Sequence, residues 1–263
     1  MTMVRRAVFV ALVFVIYFSA PLPSDAGIDP IYLERIEALK RKIEQHGFAP
    51  DELTEIFSDS RFKLYPQIVG RRGKGLDYFG SRFGLLTKKS IEQGREVLAR
   101  HNADFKDAER VYGVDREVIA AILRVETNFG SVTGIYPVLN SLTTLVVVEN
   151  RRSEWAQSQV IKFLKICRDQ EKDPFSIRGS WAGAFGISQF IPSSYLRYAV
   201  DGDGDGVVDL FNWSDAIASI ANYLKMHGWE KDKPDRKRQA VFSYNHCDNY
   251  VNAVLAYAGA LKE

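Results

Sequence analysis

At 263 residues and 29.8 kDa, the chain is one large domain or two small ones. Hydrophobic residues make up 46% and charged residues 26%, which supports a buried core and excludes wholesale disorder, collagen and coiled coil. The formal charge is +2 with no long basic tract, so charge does not point to nucleic acid.

Arg5 and Arg6 precede an uncharged run, Ala7–Ala20, and then Pro-Leu-Pro-Ser-Asp-Ala-Gly. This order of charged, apolar and small residues is that of a secretory signal over 1–26, with Ser24 and Ala26 before the cut. The apolar run is shorter than the roughly 20 residues of a membrane span. An uncleaved anchor is the competing reading. No Cys lies near the cut to carry a lipid. The expectation is an exported, periplasmic protein with no membrane span after cleavage. Cys167 and Cys247 can form one bridge in an oxidising compartment, but sequence does not bring their Cα atoms together.

The remainder reads as mainly helical. Apolar residues at Ile31, Leu33, Ile36, Leu39 and Ile43 predict a helix over Ile31–Gln45. Gly47 and Pro50 end it, and Asp51–Phe57 is a second, short helix. Residues 58–86, rich in Gly, Arg, Lys and aromatics, read as a long irregular connection. Ser90–Tyr112 is a helix stopped by Gly113, and Asp115 caps another that runs to about Glu126. Asn150–Gln170, Ser193–Ala199, Ser214–His227 and Asn249–Lys262 follow as helices. Lys231–Arg238 mixes charge signs and reads as a solvated loop. No alternating pattern is long enough for a sheet core. The chain divides into an N-terminal helical region, 27–110, and a core, 111–263.

Four stretches carry chemistry. In Asp115–Gly130, Glu126 continues the apolar stripe of Val118, Ile119, Ile122 and Leu123. A desolvated carboxyl there suits a general acid; a partly solvated Glu in a fraying last turn is the alternative. Gly179–Tyr195 has three glycines, so backbone comes close to a helix or a ligand, and Ser180 and Gln189 offer polar groups to a sugar. In Asp201–Asp215, Asp201, Asp203 and Asp205 alternate before Gly206, like the first half of an EF-hand loop. Val207 would add a carbonyl. Asn212 stands where Glu is usual, and Asp215 can close a longer loop; an acidic turn ahead of a helix capped by Ser214 is the plain alternative. In Phe242–Tyr250, Tyr244, Asn245 and Tyr250 suit sugar binding. His246 next to Cys247 is a poor dyad, because adjacent side chains rarely aim at each other.

VETNFG (125–130), SWAGAFGISQFIPSSY (180–195), YAVDGDGDG (198–206), DAIASIANYLKMHGW (215–229) and YNHCDNY (244–250) occur in one order. Together they resemble the membrane-bound lytic transglycosylase B family, glycoside hydrolase family 103, over roughly residues 50–257, including the stretch 91–122. The resemblance implies a lysozyme-like catalytic core. It also implies cleavage of the β-1,4 bond between N-acetylmuramic acid and N-acetylglucosamine in peptidoglycan, leaving a 1,6-anhydromuramic end. It assigns Glu126 as the single catalytic acid. Ser180, Gln189, Tyr223, Tyr244, Asn245 and Tyr250 become sugar-site residues, and Asp201, Asp203, Asp205, Val207 and Asp215 a structural calcium loop. The partners implied are peptidoglycan glycan strands, with the protein a monomer. A hydrolytic lysozyme on the same core and a non-catalytic peptidoglycan-binding protein are the alternatives. Only 14 residues separate Trp229 from Tyr244, which leaves little room for the family's β-rich insert, and Cys247 replaces a residue more often hydroxylic.

Overall fold

The computed structural model describes residues 29–69, 76–148 and 151–263. The expected export signal over 1–26 lies outside them. Among the described residues, no helix is long and apolar enough to cross a membrane.

Helix α1 (Pro30–Glu44) starts where the Asp29 carboxylate accepts the Ile31 N–H at 3.0 Å and Pro30 takes the first helical position. It buries Ile36, Leu39 and Ile43, one face of the 3.6-residue repeat. Helix α2 (Pro50–Ser58) follows as expected. The described part of 58–86 is irregular apart from one turn at Pro66–Ile68.

The single helix expected over Ser90–Tyr112 is two: α3 (Lys88–Arg100) and α4 (Asn102–Tyr112), broken at His101. The His101 ring stacks on Trp213 with centroids 4.3 Å apart. The break lets α3 bury Val97 while α4 buries Phe105 and Ala108 against a different helix. Local periodicity is blind to a partner more than a hundred residues away. Gly113 ends α4 at φ +69°, as expected.

Helix α5 (Arg116–Thr127) is the central element, and every residue from Val118 to Thr127 is buried. It packs against α3, α4, α9 (Trp213–Met226) and α11 (Asp248–Lys262). Asp115 stands at its N-cap, but its side chain makes no capping bond. The Lys237 ammonium holds that carboxylate instead at 2.5 Å, with Lys262 at 3.7 Å and Lys231 at 3.9 Å. A charge 3% exposed is better compensated by cations than by one backbone N–H.

Two helices were not expected. Helix α6 (Val138–Val147) is buried at every position but Val146, its polar Asn140, Ser141, Thr143 and Thr144 included, so its burial does not follow its apolar positions, and it lies against α7 (Ser153–Asp169). Helix α10 (Pro234–Tyr244) takes up most of the stretch read as a solvated loop. It buries only Ala240 and Val241, a face too narrow for a periodic signal. Helix α8 (Pro192–Tyr198) completes the set. The small sheet pairs β1 (Tyr136–Pro137) antiparallel with β2 (Arg178–Gly179). One apolar cluster runs from Ile36 to Leu261. Cys167 is buried, Cys247 is half-buried, and both are free thiols.

Candidate active site

Glu126 sits in the last turn of α5, where Asn128 (φ +48°) and Phe129 (φ +56°) turn the chain sharply away. Two successive non-glycine residues in the left-handed region are costly and persist only where packing holds them. The Thr127 hydroxyl supplies part of that hold. It donates to the Ile187 carbonyl at 3.0 Å and accepts the Gly130 N–H at 2.9 Å, tying the helix end to the glycine-rich segment.

The Glu126 side chain is 4% exposed, and the Tyr250 hydroxyl donates to its Oε1 at 2.7 Å. Burial pushes its pKa from 4.5 up to about 8, against the opposing pull of that hydrogen bond. Tyr244 and Tyr250 face the same carboxyl, and burial pushes both hydroxyls well above their usual range. Tyr78 does the same from the 76–85 segment, its ring 6.1 Å from that of Tyr250. Among the described residues, no second carboxylate acts on Glu126. The fraying, solvated Glu is therefore not what the fold builds.

A cavity of about 270 Å³ lies beside this acid, lined by Ser180, Gln189, Tyr223 and Tyr244 together with Arg152 and Arg197. Glu126, Asn245 and Tyr250 are not in its lining. Tyr244 joins the two regions: it lines the cavity, and its ring lies 8° from parallel to that of Tyr250 at 6.4 Å. The Ser180 hydroxyl accepts the N–H groups of Ala182 and Ala184 at 3.3 and 3.1 Å, shaping the glycine-rich turn. Gln189, at φ +53°, donates through its amide to Thr133 and Gly186 carbonyls at 2.9 Å. Its carbonyl oxygen is buried with no partner among the described residues, leaving an acceptor for a ligand N–H or O–H. The hydroxyls of Tyr223 and Tyr244 are engaged by the Ser243 and Ser188 carbonyls at 2.6 Å, so their rings are what they present. Asn245 is buried just past the end of α10. Sequence reasoning missed Tyr78, Arg152 and Arg197. The aromatic richness of 58–86 was the one available signal for Tyr78.

Glycines set how closely the backbone runs here. A Cβ on Gly179 would lie 2.2 Å from the Ala184 carbonyl oxygen and 2.9 Å from Val138 Cγ2. Gly179→Ala is expected to lower unfolding free energy by at least the ~1–3 kcal/mol typical of overpacking, read by urea denaturation.

In the acidic loop, carboxylate oxygens of Asp201, Asp203 and Asp215 lie within 4.8 Å of one another. Asp215, in the first turn of α9, is 1% exposed and accepts the Gly202 and Asp209 N–H groups at 2.7 and 2.6 Å. Burial raises its pKa, while the Gly206 N–H and its neighbours lower that of Asp201. Asp205 is outside the trio, its carboxylate taking the Val207 N–H at 2.7 Å, and Val207 is exposed. Asn212, not Ser214, caps α9, accepting the Ser214 N–H at 2.8 Å, and its amide donates to Asp203. Three converging carboxylates, one of them buried, fit a hard divalent cation held by Asp201, Asp203 and Asp215.

Residues 33–241 match the family described as the transglycosylase SLT domain. The chain belongs to that family. It is 37% identical over 207 residues to membrane-bound lytic murein transglycosylase B of Escherichia coli (strain K12), covering 73% of this chain. The match spans 56% of that relative, so the chain corresponds to little more than half its length. Among solved structures, the Escherichia coli lytic transglycosylase SLT35 in complex with calcium superposes with a TM-score of 0.78 at 28% identity, covering 89% of this chain and 93% of that one. SltB3 from Pseudomonas aeruginosa, in complex with NAG-anhNAM-pentapeptide, superposes with a TM-score of 0.80 at 26% identity, covering 88% and 79%. The mostly helical architecture is the lysozyme-like fold of these family members.

Proposed function

We propose that this protein is an exported lytic murein transglycosylase that cleaves the MurNAc-β-1,4-GlcNAc bond of peptidoglycan and leaves 1,6-anhydroMurNAc ends. The observation that carries this reading is a buried Glu126 hydrogen-bonded to Tyr250, with no second carboxylate among the described residues acting on it. Ordinary retaining and inverting glycosidases use two carboxylates at set separations. With one, the muramic acetamido group serves as internal nucleophile. Glu126 first protonates the leaving glycosidic oxygen. The resulting carboxylate, steadied by the Tyr250 hydroxyl, then takes the proton of the C6 hydroxyl, whose oxygen attacks C1, displaces the acetamido oxygen and closes the anhydro ring. A pKa of about 8 keeps the acid loaded at neutral pH. The adjoining cavity supports a glycan ligand: aromatic faces at Tyr223 and Tyr244, an unpartnered amide oxygen on Gln189, and two arginines with no acidic side chain in the lining. The arginines suit the carboxylates of muramic acid and its peptides. A calcium ion on Asp201, Asp203 and Asp215 would hold the start of α9, the helix that carries Tyr223, and take no part in the chemistry.

Digestion of purified sacculi followed by mass spectrometry tests the reaction. Muropeptides one water lighter than hydrolytic products are the expected result. Reducing-end muramic acid would identify a hydrolase, and binding without release a non-catalytic protein.

Tyr250→Phe tests the hydroxyl that steadies the Glu126 carboxylate. Losing a hydrogen bond to a charged group costs about 1.5–3 kcal/mol, so turnover is expected to fall about tenfold to a hundredfold. That hydrogen bond lowers the Glu126 pKa, so the alkaline limb of the pH–rate profile is expected to move to higher pH. An unmoved limb would mean that Tyr250 does not act through Glu126.

A further inference from the structure

Arg124, two residues before Glu126 on α5, is a buried cation with no carboxylate partner among the described residues. Its bonds are unusual for a charge 8% exposed. Nε donates to the Ser90 hydroxyl at 2.9 Å, Nη2 donates to the Phe83 carbonyl at 3.0 Å, and the guanidinium lies over the Phe83 ring at 5.1 Å. The Ser90 carbonyl in turn accepts the Tyr257 hydroxyl of α11, the only titratable group among the described residues that acts on Arg124. Residues two apart on a helix point to different faces. The chain from Leu76 to Leu85 reaches both faces: Phe83 meets Arg124, and Tyr78 meets the catalytic side. The Phe83 and Tyr78 rings pack edge-on at 5.3 Å, Tyr78 packs edge-on against Tyr250 at 6.1 Å, and Tyr250 donates to Glu126. Tyr78 is 4% exposed although it belongs to no helix, so something outside its own backbone must hold it.

We propose that Arg124 is a positioning residue for Glu126: its planar guanidinium pins the Leu76–Leu85 segment to α5, so that Tyr78 walls the acid off from water. The proposal rests on Glu126 being the catalytic acid. Arg124 touches no substrate and acts through Phe83, Tyr78 and Tyr250. The groups facing Glu126 are Tyr78 from this segment, Tyr244 from α10 and Tyr250 from α11, with the Cys247 thiol acting on Tyr78. Burial pushes all three tyrosine hydroxyls up, away from neutral pH, so they do not move the Glu126 titration in place of hydration. Releasing the wall admits water, and the Glu126 carboxyl moves back toward an ordinary carboxylate range.

The test is Arg124→Met, which keeps the volume of the stem and loses the fork. Turnover at neutral pH is expected to fall at least about tenfold, and the alkaline limb of the pH–rate profile to move about one unit or more to lower pH. That is opposite in direction to Tyr250→Phe. Arg124→Lys, which keeps the charge without the planar fork, is expected to give a smaller shift of the same sign and serves if Arg124→Met does not fold. A second readout needs no turnover: the difference in melting temperature between Glu126 and Glu126→Gln, followed against pH, reports the Glu126 titration in each Arg124 background. Its midpoint is expected to move down with the limb. A lower melting temperature with limb and midpoint both unmoved would make Arg124 a structural residue only and overturn the proposal. Absence of turnover in the wild type, with the midpoint still moving, would overturn the enzymatic reading and leave the clamp standing.

Discussion

Glu126→Gln is expected to lose about 10²–10⁴-fold in turnover while keeping the fold. The amide matches the carboxyl in shape and can still meet the Tyr250 hydroxyl, but it has no proton to give and no basic oxygen to receive one. The proposed mechanism uses one group in both steps, and among the described residues no second carboxylate acts on Glu126 to take over. A tenth or more of wild-type activity remaining would assign the chemistry elsewhere. The same variant is expected to change stability with a definite sign. The folded-state pKa of Glu126 is raised from 4.5 to about 8, so the native state binds this proton more tightly than the unfolded chain does. The stabilising contribution is whole below about pH 4.5 and is lost as pH rises toward about 8. Wild type therefore weakens against Glu126→Gln across that window, by a few kcal/mol in order of magnitude. Melting curves of both proteins at about pH 5 and about pH 9 check this. A constant difference between them would mean that the buried carboxyl is not perturbed.

The second large effect concerns the acidic loop. Calcium is expected to raise the melting temperature of the wild type, and a chelator to remove the increment. Binding only to the native state stabilises it by about 2.7 kcal/mol at a hundredfold excess over Kd, or roughly 5–10 °C for a chain of this size. Asp203→Ala should abolish the increment. It should not lower the melting temperature in chelator, because it removes one of three like charges within 4.8 Å. Asp205→Ala should keep most of the increment, since its carboxylate lies outside the trio and holds the Val207 N–H. Equal melting temperatures with calcium and chelator in wild type would make the loop an acidic turn.

Several features were legible because they are local. The apolar repeats of α1, α9 and α11 name their buried faces, Gly113 marks the end of α4, and the stripe through Ile122 and Leu123 puts Glu126 on the inner side of α5. The alternating aspartates after Val200 announce a turn rich in hard oxygens. The order of five motifs then points to the family that the match over residues 33–241 establishes.

Other features were decided only by the fold. The break at His101 answers to Trp213, and the bonds of Asp115 answer to Lys237, partners over a hundred residues distant. Helix α6 is hidden because it buries polar residues such as Asn140 and Thr143 along with apolar ones, and α10 because it buries almost nothing. Aromatic content marks 58–86 as unusual, but only packing brings Tyr78 against Tyr250 and Phe83 over Arg124. Sequence alone determined that a carboxyl lies on an apolar helix face. Tertiary structure decided how far its proton is held, because desolvation comes from the α10, α11 and 76–85 groups that close over it, and periodicity carries no record of what packs on a face.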